Sequence, residues 1–319
     1  MTIMKTTDDP SLIRARILSG VGGRYTVSAF IGGNASKISN LAAKGAFKHE
    51  KIKLLPGDKA FLRKDANGYF ITEIEKRKNS LIRPAVANLD YLYIVTSSKS
   101  PAPVDGFADK ITVLCEKNGI KPVIVVTKSE LDPAISDKII STYSSCGYNT
   151  FKTSSVNNTG IKELREFIDN NKGTLSAFCG ASGVGKSTLI ITLFPDLDLT
   201  CDVGHISEKI ERGKNTTRTV TLYEIGGDTY LADTPGFSLL DFERFDFCTK
   251  DDLPYLFPEF EPYLCKCKYT KCSHTKEDGC LIREAVNDGK IAKSRYESYL
   301  SLYSDIKDKK EWNMQKSTV

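Results

Sequence analysis

The sequence predicts an α/β protein in three parts: a small N-terminal β-barrel, a doubly wound α/β domain and a short helical tail. Short alternating strands broken by glycine predict the first part. Continuous apolar strands separated by helical stretches predict the second, and a dense cysteine cluster predicts a metal-pinned third. A length of 319 residues accommodates two or three such units. With 40% hydrophobic and 27% charged residues, the composition is that of an ordinary globular chain rather than a disordered one.

In the barrel region, Leu12–Leu18 and Arg24–Phe30 both alternate and are separated by Ser19-Gly20-Val21-Gly22-Gly23. Pro56-Gly57-Asp58 marks a turn before Lys59–Leu62, and Asn67-Gly68 is a hairpin signal before Tyr69–Ile74. About five short strands in this length suggest an OB-like barrel, a fold that binds nucleic acid through a basic strand face. Residues 1–76 carry 13 Lys/Arg against 7 Asp/Glu, whereas the whole chain is only +5, so the basic excess lies at this end. That bias suits either a solvated surface or an anionic polymer such as RNA.

Glu75–Ser80 reads as a polar linker, after which the period changes. Tyr91–Thr96 and Val123–Thr127 are continuous apolar runs, as expected of parallel strands buried on both faces. Helical stretches such as Phe107–Glu116 separate them, which predicts a doubly wound sheet. No comparable strand follows Asp241, and Ile282 to about Lys310 reads as Tyr- and Lys-rich helices. The predicted boundaries are 1–76, 77–242 and 243–319. No apolar run approaches the roughly 18 residues that span a bilayer, and the first ten residues lack a signal-peptide core. A cytoplasmic protein with no membrane partner is therefore expected, monomeric when free.

Gly180-Ala181-Ser182-Gly183-Val184-Gly185-Lys186-Ser187-Thr188 matches G-x-x-x-x-G-K-[ST] between a strand-like and a helix-like segment. Its glycines let backbone N–H groups surround phosphate oxygens at a helix N-terminus. Lys186 would neutralise the β- and γ-phosphates, and Ser187 would ligate Mg²⁺. The motif implies nucleoside triphosphate binding. Downstream, Asp233-Thr234-Pro235-Gly236 ends a strand as D-x-x-G, with Asp233 on the Mg²⁺ side and Gly236 facing the γ-phosphate. Between them, Arg212–Arg218 contains a polar switch in which either Thr216 or Thr217 would reach Mg²⁺.

Base selection by a guanine-reading carboxylate points to [NT]-K-x-D, for which Thr127-Lys128-Ser129-Glu130 is the candidate. Thr stands in place of the commoner Asn, and Glu in place of Asp; Asp132 is a fallback. Thr153-Ser154-Ser155 resembles the short motif whose backbone contacts guanine O6, with Ser154 at its centre. These base-reading motifs precede the phosphate loop, the reverse of the usual GTPase order. A circular permutation explains the order without moving any site residue in space. The predicted fold is thus a circularly permuted P-loop GTPase domain with an N-terminal OB-like barrel and a C-terminal zinc-binding helical domain.

Nine cysteines without a secretory signal argue against a disulfide framework. Cys115, Cys146, Cys179 and Cys201 are scattered, as buried thiols would be. Cys267, Cys272, His274 and Cys280 form a closed Cys₃His set suited to one structural Zn²⁺, with Cys265 a competitor for the position of Cys267.

Taken together, these blocks resemble the circularly permuted family of ribosome small-subunit-dependent GTPase A (RsgA, also YjeQ or YloQ). The resemblance also rests on Lys44–Lys48, Asn79–Asp90, Asp233–Phe237, Ala285–Ile291 and Arg295–Tyr299. It implies GTP, Mg²⁺ and Zn²⁺ as cofactors and the small ribosomal subunit with its rRNA as partner. It further implies GTP hydrolysis stimulated by that subunit during late maturation. One departure stands out: the family usually carries a histidine where this chain has Asn215, and that histidine is proposed to act in hydrolysis. Asn can orient water but cannot act as a base at neutral pH. Phe237 also replaces the water-positioning glutamine of Ras-like enzymes. Slow intrinsic hydrolysis is expected, with His205 a candidate substitute. The alternatives are a diverged paralogue, a small-molecule kinase or ATPase, and an RNA-binding module with weak or altered nucleotide specificity.

Overall fold

In the computed structural model, residues 9, 11–32, 34–82, 84–104, 106–197, 220–233 and 248–308 are described. Strands β1 (Ile13–Val21), β2 (Arg24–Ile31), β3 (Asn34–Ala43), β4 (Lys59–Asp65) and β5 (Gly68–Ile74) close into a barrel in the order β1-β2-β3-β5-β4. Helix α1 (Gly45–His49) lies between β3 and β4 in the chain, and the five strands are those the OB-like reading expects. Alternation does what it predicted: Ile17, Val27, Leu62 and Ile71 point inward and are fully buried.

Glu75–Ser80 is more than a linker. Arg77 lies against the buried Asp58 in a forked pair, Nε to Oδ1 at 2.7 Å and Nη2 to Oδ2 at 2.9 Å. Burial raises the pKa of Asp58, while the Arg77 bonds and the Leu55 N–H act against that rise. A charge run looks solvated in sequence; here one member finds its counter-charge across the turn at Gly57. That glycine has φ +94°, and a Cβ there would stand 2.0 Å from the Ala87 carbonyl oxygen. Asn88 donates from Nδ2 to the Gly57 carbonyl at 3.0 Å. The barrel turn therefore packs directly on the small hairpin β6 (Ser80–Ile82) and β7 (Ala85–Ala87) that leads into the sheet.

The sheet has the order β10 (Asn149–Lys152), β9 (Lys121–Thr127), β8 (Tyr91–Ser97), β11 (Leu175–Cys179), β13 (Thr229–Asp233) and β12 (Thr221–Gly226). All neighbours are parallel except β12, which pairs antiparallel with β13. Consecutive residues feed opposite cores: Leu92 and Ile94 join one cluster, Tyr93 and Val95 the other. This double burial explains the unbroken apolar runs. Helices α2 (Phe107–Asn118), α3 (Pro133–Ser145), α4 (Ile161–Asn170) and α5 (Lys186–Leu193) complete the α/β layers. Strand β11 is central, and the chain order reverses beside it, so the loop after β11 lies at the topological switch point.

Two 3-10 turns (Leu253–Leu256 and Pro258–Tyr263) and helices α6 (Leu281–Asn287) and α7 (Lys293–Ile306) form the C-terminal part. Its core gathers Phe257, Phe260 and Tyr299, and takes in Val113 from α2. Arg295, fully buried, reaches from α7 to Asp109 on α2 at 2.6 Å, to Glu259 at 2.7 Å and to Thr112 at 3.0 Å. Its guanidinium also lies 4.7 Å from the centroid of the Phe257 ring. Among the described residues, no helix is long and apolar enough to cross a membrane.

Candidate functional site

The phosphate loop leaves β11 at Gly180, whose φ is +152°. A Cβ there would meet the Val95 carbonyl oxygen at 2.2 Å, so the loop is pressed against β8. Gly183 and Gly185 also adopt left-handed φ of +78° and +94°, which turn the chain before α5 begins at Lys186. Lys186 donates from Nζ to the carbonyls of Gly180 at 2.7 Å and Ala181 at 3.1 Å. Its ammonium is thereby folded over the loop, and burial lowers its pKa from the ordinary lysine value. Ser182, Ser187 and Thr188 are at least partly exposed on this rim, whereas Val184 is buried beneath it.

Thr127 ends β9 and bridges two motifs. Its hydroxyl donates to the Val184 carbonyl in the phosphate loop, with the Thr96 carbonyl 3.2 Å away. The departure from Asn at this position thus keeps a side-chain donor between the two loops. Lys128 has φ +53° and donates from Nζ to the carbonyls of Gly183, at 2.8 Å, and Ser100. Ser129 is buried, its N–H donating to the Thr153 carbonyl at 3.2 Å, and Glu130 is exposed. Asp132 caps α3 instead, accepting from the Ile135 N–H at 3.1 Å. Ser154 is fully buried; its N–H donates to the Thr159 carbonyl at 2.9 Å and its hydroxyl accepts from the Val156 N–H at 3.3 Å.

Asp233 ends β13. Since Ala177 pairs with Ala232, Asp233 is level with Phe178, one strand over from the start of the phosphate loop. The switch candidates Asn215, Thr216 and Thr217, together with His205, Gly236 and Phe237, lie outside the described residues.

At the other end of the chain, the donor atoms of Cys267, Cys272, His274 and Cys280 all lie within 4.8 Å of one another. His274 Nδ1 is 3.6 Å from Cys267 Sγ and 3.5 Å from Cys280 Sγ. A tetrahedral ion with S and N ligands at standard zinc distances would set that edge at about 3.5 Å, so the group fits the metal. Cys265 is not a member: it is exposed, with the Tyr255 hydroxyl 3.7 Å from its Sγ. The loop is held on α7 by Tyr296, which donates to the His274 carbonyl at 2.8 Å, and by Tyr299, which donates to that of Ser273 at 2.6 Å. Glu277 accepts from the Ser273 N–H at 2.9 Å and the Thr275 N–H at 3.1 Å. Burial alone would raise its pKa, but these and neighbouring hydrogen bonds hold it at about 2. Glu277 carries no motif, and only its packing around the cluster identifies it; Tyr296 and Tyr299 belong to the block Arg295–Tyr299, but their hold on this loop shows only in the structure.

The model of the RsgA GTPase family matches residues 74–243. A relative from Geobacillus thermodenitrificans, named small ribosomal subunit biogenesis GTPase RsgA, is 38% identical over 305 residues, covering 94% of this chain and 99% of its own. One of the same name from Ruminiclostridium cellulolyticum is 36% identical and covers 94% and 96%. Among solved structures, YjeQ from Thermotoga maritima superposes with a TM-score of 0.79 at 30% identity, covering 94% of this chain and all of that one. The circularly permuted GTPase YloQ gives 0.75 at 29% identity, with 96% and 99% covered.

Proposed function

Because the chain belongs to the RsgA GTPase family, we propose that it is a GTPase of small ribosomal subunit biogenesis that hydrolyses GTP on that subunit late in maturation. The observation that carries this reading is the joining of the phosphate loop to the base-reading loop by Thr127 and Lys128. Gly180–Thr188 would hold the phosphates, with Lys186 neutralising them. Glu130 would accept from guanine N1–H and N2–H₂, and the backbone near Ser154 would face O6. Ser187 and Asp233, with Thr216 or Thr217, would hold Mg²⁺, whose chemistry is to neutralise charge on the transferred phosphoryl group. Bound GTP would order the switch around Thr216, Thr217 and Gly236, and so set the C-terminal part against rRNA, while the basic barrel supplies a second rRNA contact. Hydrolysis would release both.

Neither Asn215 nor Phe237 can act as a general base, so the chain alone is expected to turn over GTP more slowly than about 1 s⁻¹, the low end of ordinary enzymes. Purified small subunits should raise that rate. The test is GTP and ATP turnover, each with and without subunits. Fast turnover of the isolated chain would contradict this reading, and equal use of ATP would favour a kinase or ATPase.

Cys267, Cys272, His274 and Cys280 would hold a structural Zn²⁺ that substitutes for the core this short loop lacks. Metal analysis is expected to find about one zinc per molecule. Cys280→Ser should lower that content and the melting temperature together; unchanged zinc in that variant would refute the ligand set.

A further inference from the structure

We propose that Ser98 is a positioning residue for guanine recognition, an inference that rests on reading 127–130 as the base-reading loop. Ser98 follows β8 and is 1% exposed. Its N–H donates to the Thr127 carbonyl at 3.1 Å, and its hydroxyl donates to the Lys128 carbonyl at 2.6 Å. Two residues later, the Ser100 carbonyl accepts from Lys128 Nζ. One short loop therefore holds Lys128 at both ends, by its backbone and by its ammonium.

The need for such a hold is visible in the backbone. Lys128 has φ +53°, a left-handed conformation that a residue with a Cβ adopts reluctantly. Such a residue stays there only where its surroundings over-determine it. The next peptides depend on that turn: the Ser129 N–H reaches the Thr153 carbonyl, the Leu131 N–H reaches the Lys128 carbonyl at 3.0 Å, and the exposed Glu130 lies between them. The Lys128 carbonyl thus accepts from both Ser98 and Leu131. Ser98 touches neither the phosphate loop nor Glu130 in any of these bonds. Its effect on the base would pass through the Thr127–Lys128 backbone alone.

The same loop also approaches the phosphate side, since a Cβ on Gly183 would lie 3.6 Å from Pro101 Cδ. That contact does not involve the Ser98 hydroxyl. Removing the hydroxyl should accordingly loosen base reading more than phosphate binding, because the bonds of Thr127 and Lys128 to the phosphate loop come from their side chains and not from the backbone that Ser98 holds.

The discriminating probe is a pair of nucleotides, GTP and ITP, which share the triphosphate, O6 and N1–H but differ in the 2-amino group. Affinities of both are measured for the unmodified chain, Ser98→Ala and Glu130→Gln. Ser98→Ala is expected to weaken GTP about three- to tenfold, the range of one lost hydrogen bond, and ITP less, so that the GTP-to-ITP ratio falls. A ratio left unchanged overturns the proposal, whether both affinities hold or both drop together, since a merely structural role would move the two alike. If Glu130→Gln also leaves the ratio unchanged, the underlying assignment of the base-reading loop falls. If Glu130→Gln lowers it and Ser98→Ala does not, only the role of Ser98 falls. Should Ser98→Ala fail to fold, Ser98→Cys keeps a side chain of similar shape, weakens the donor and supports the same comparison.

Discussion

Arg295→Ala should destabilise the protein by about 3–5 kcal/mol, the cost of breaking a buried ion pair from one side. Arg295 is fully buried, and its removal strands the carboxylates of Asp109 and Glu259, whose side chains are 7% and 5% exposed. Burial alone would lower the pKa of Arg295, but Asp109 and Glu259 outweigh it and raise it. The variant also loses packing against Phe257. Lysine should be a poor replacement, because an ammonium cannot form the forked pair with Glu259 while also reaching Asp109 and Thr112. Urea unfolding of Arg295→Ala, Arg295→Lys and a surface control, Lys293→Ala, tests this. A loss under about 1 kcal/mol, the scale of a surface pair, would show that the network is not a clamp.

Lys186→Ala should reduce GTP turnover by about 100-fold or more, the scale on which a single preorganised electrostatic contact acts. Among the described residues, the Lys186 ammonium bonds to carbonyls of its own loop. The substitution should therefore leave the melting temperature nearly unchanged while removing the charge proposed to meet the phosphates. Subunit-stimulated turnover is the readout. A Lys186→Ala variant that retains full cellular function would instead support an RNA-binding module whose nucleotide site is vestigial.

These arginine and lysine sites differ in how far the sequence reveals them. Lys186 sits in a contiguous nine-residue motif whose geometry is local, so its place is legible without the fold. Thr127–Glu130 is legible for the same reason, together with the reversed order of the motifs. The closed barrel is legible in alternation and turn residues. Arg295 is not legible as a clamp, because Asp109 is 186 residues away and becomes its neighbour only when α7 packs on α2. Ser98 is equally silent: a serine after a strand carries no signal until Lys128 is seen beside it. Cys265 and Cys267 cannot be ranked by spacing; the loop geometry separates them.

The forked pair between Arg77 and Asp58 bears on how such a chain can be taken apart and recombined. Composition places the seam between barrel and α/β domain just after Lys76, yet the cation that neutralises Asp58 is the next residue along. Gly57, flush against Ala87, ties the same turn to the hairpin beyond. A barrel transplanted without that short extension would carry a buried carboxylate with no counter-ion into its new host. As a portable module, the barrel therefore needs the chain through Arg77 at least, and its boundary is electrostatic rather than compositional.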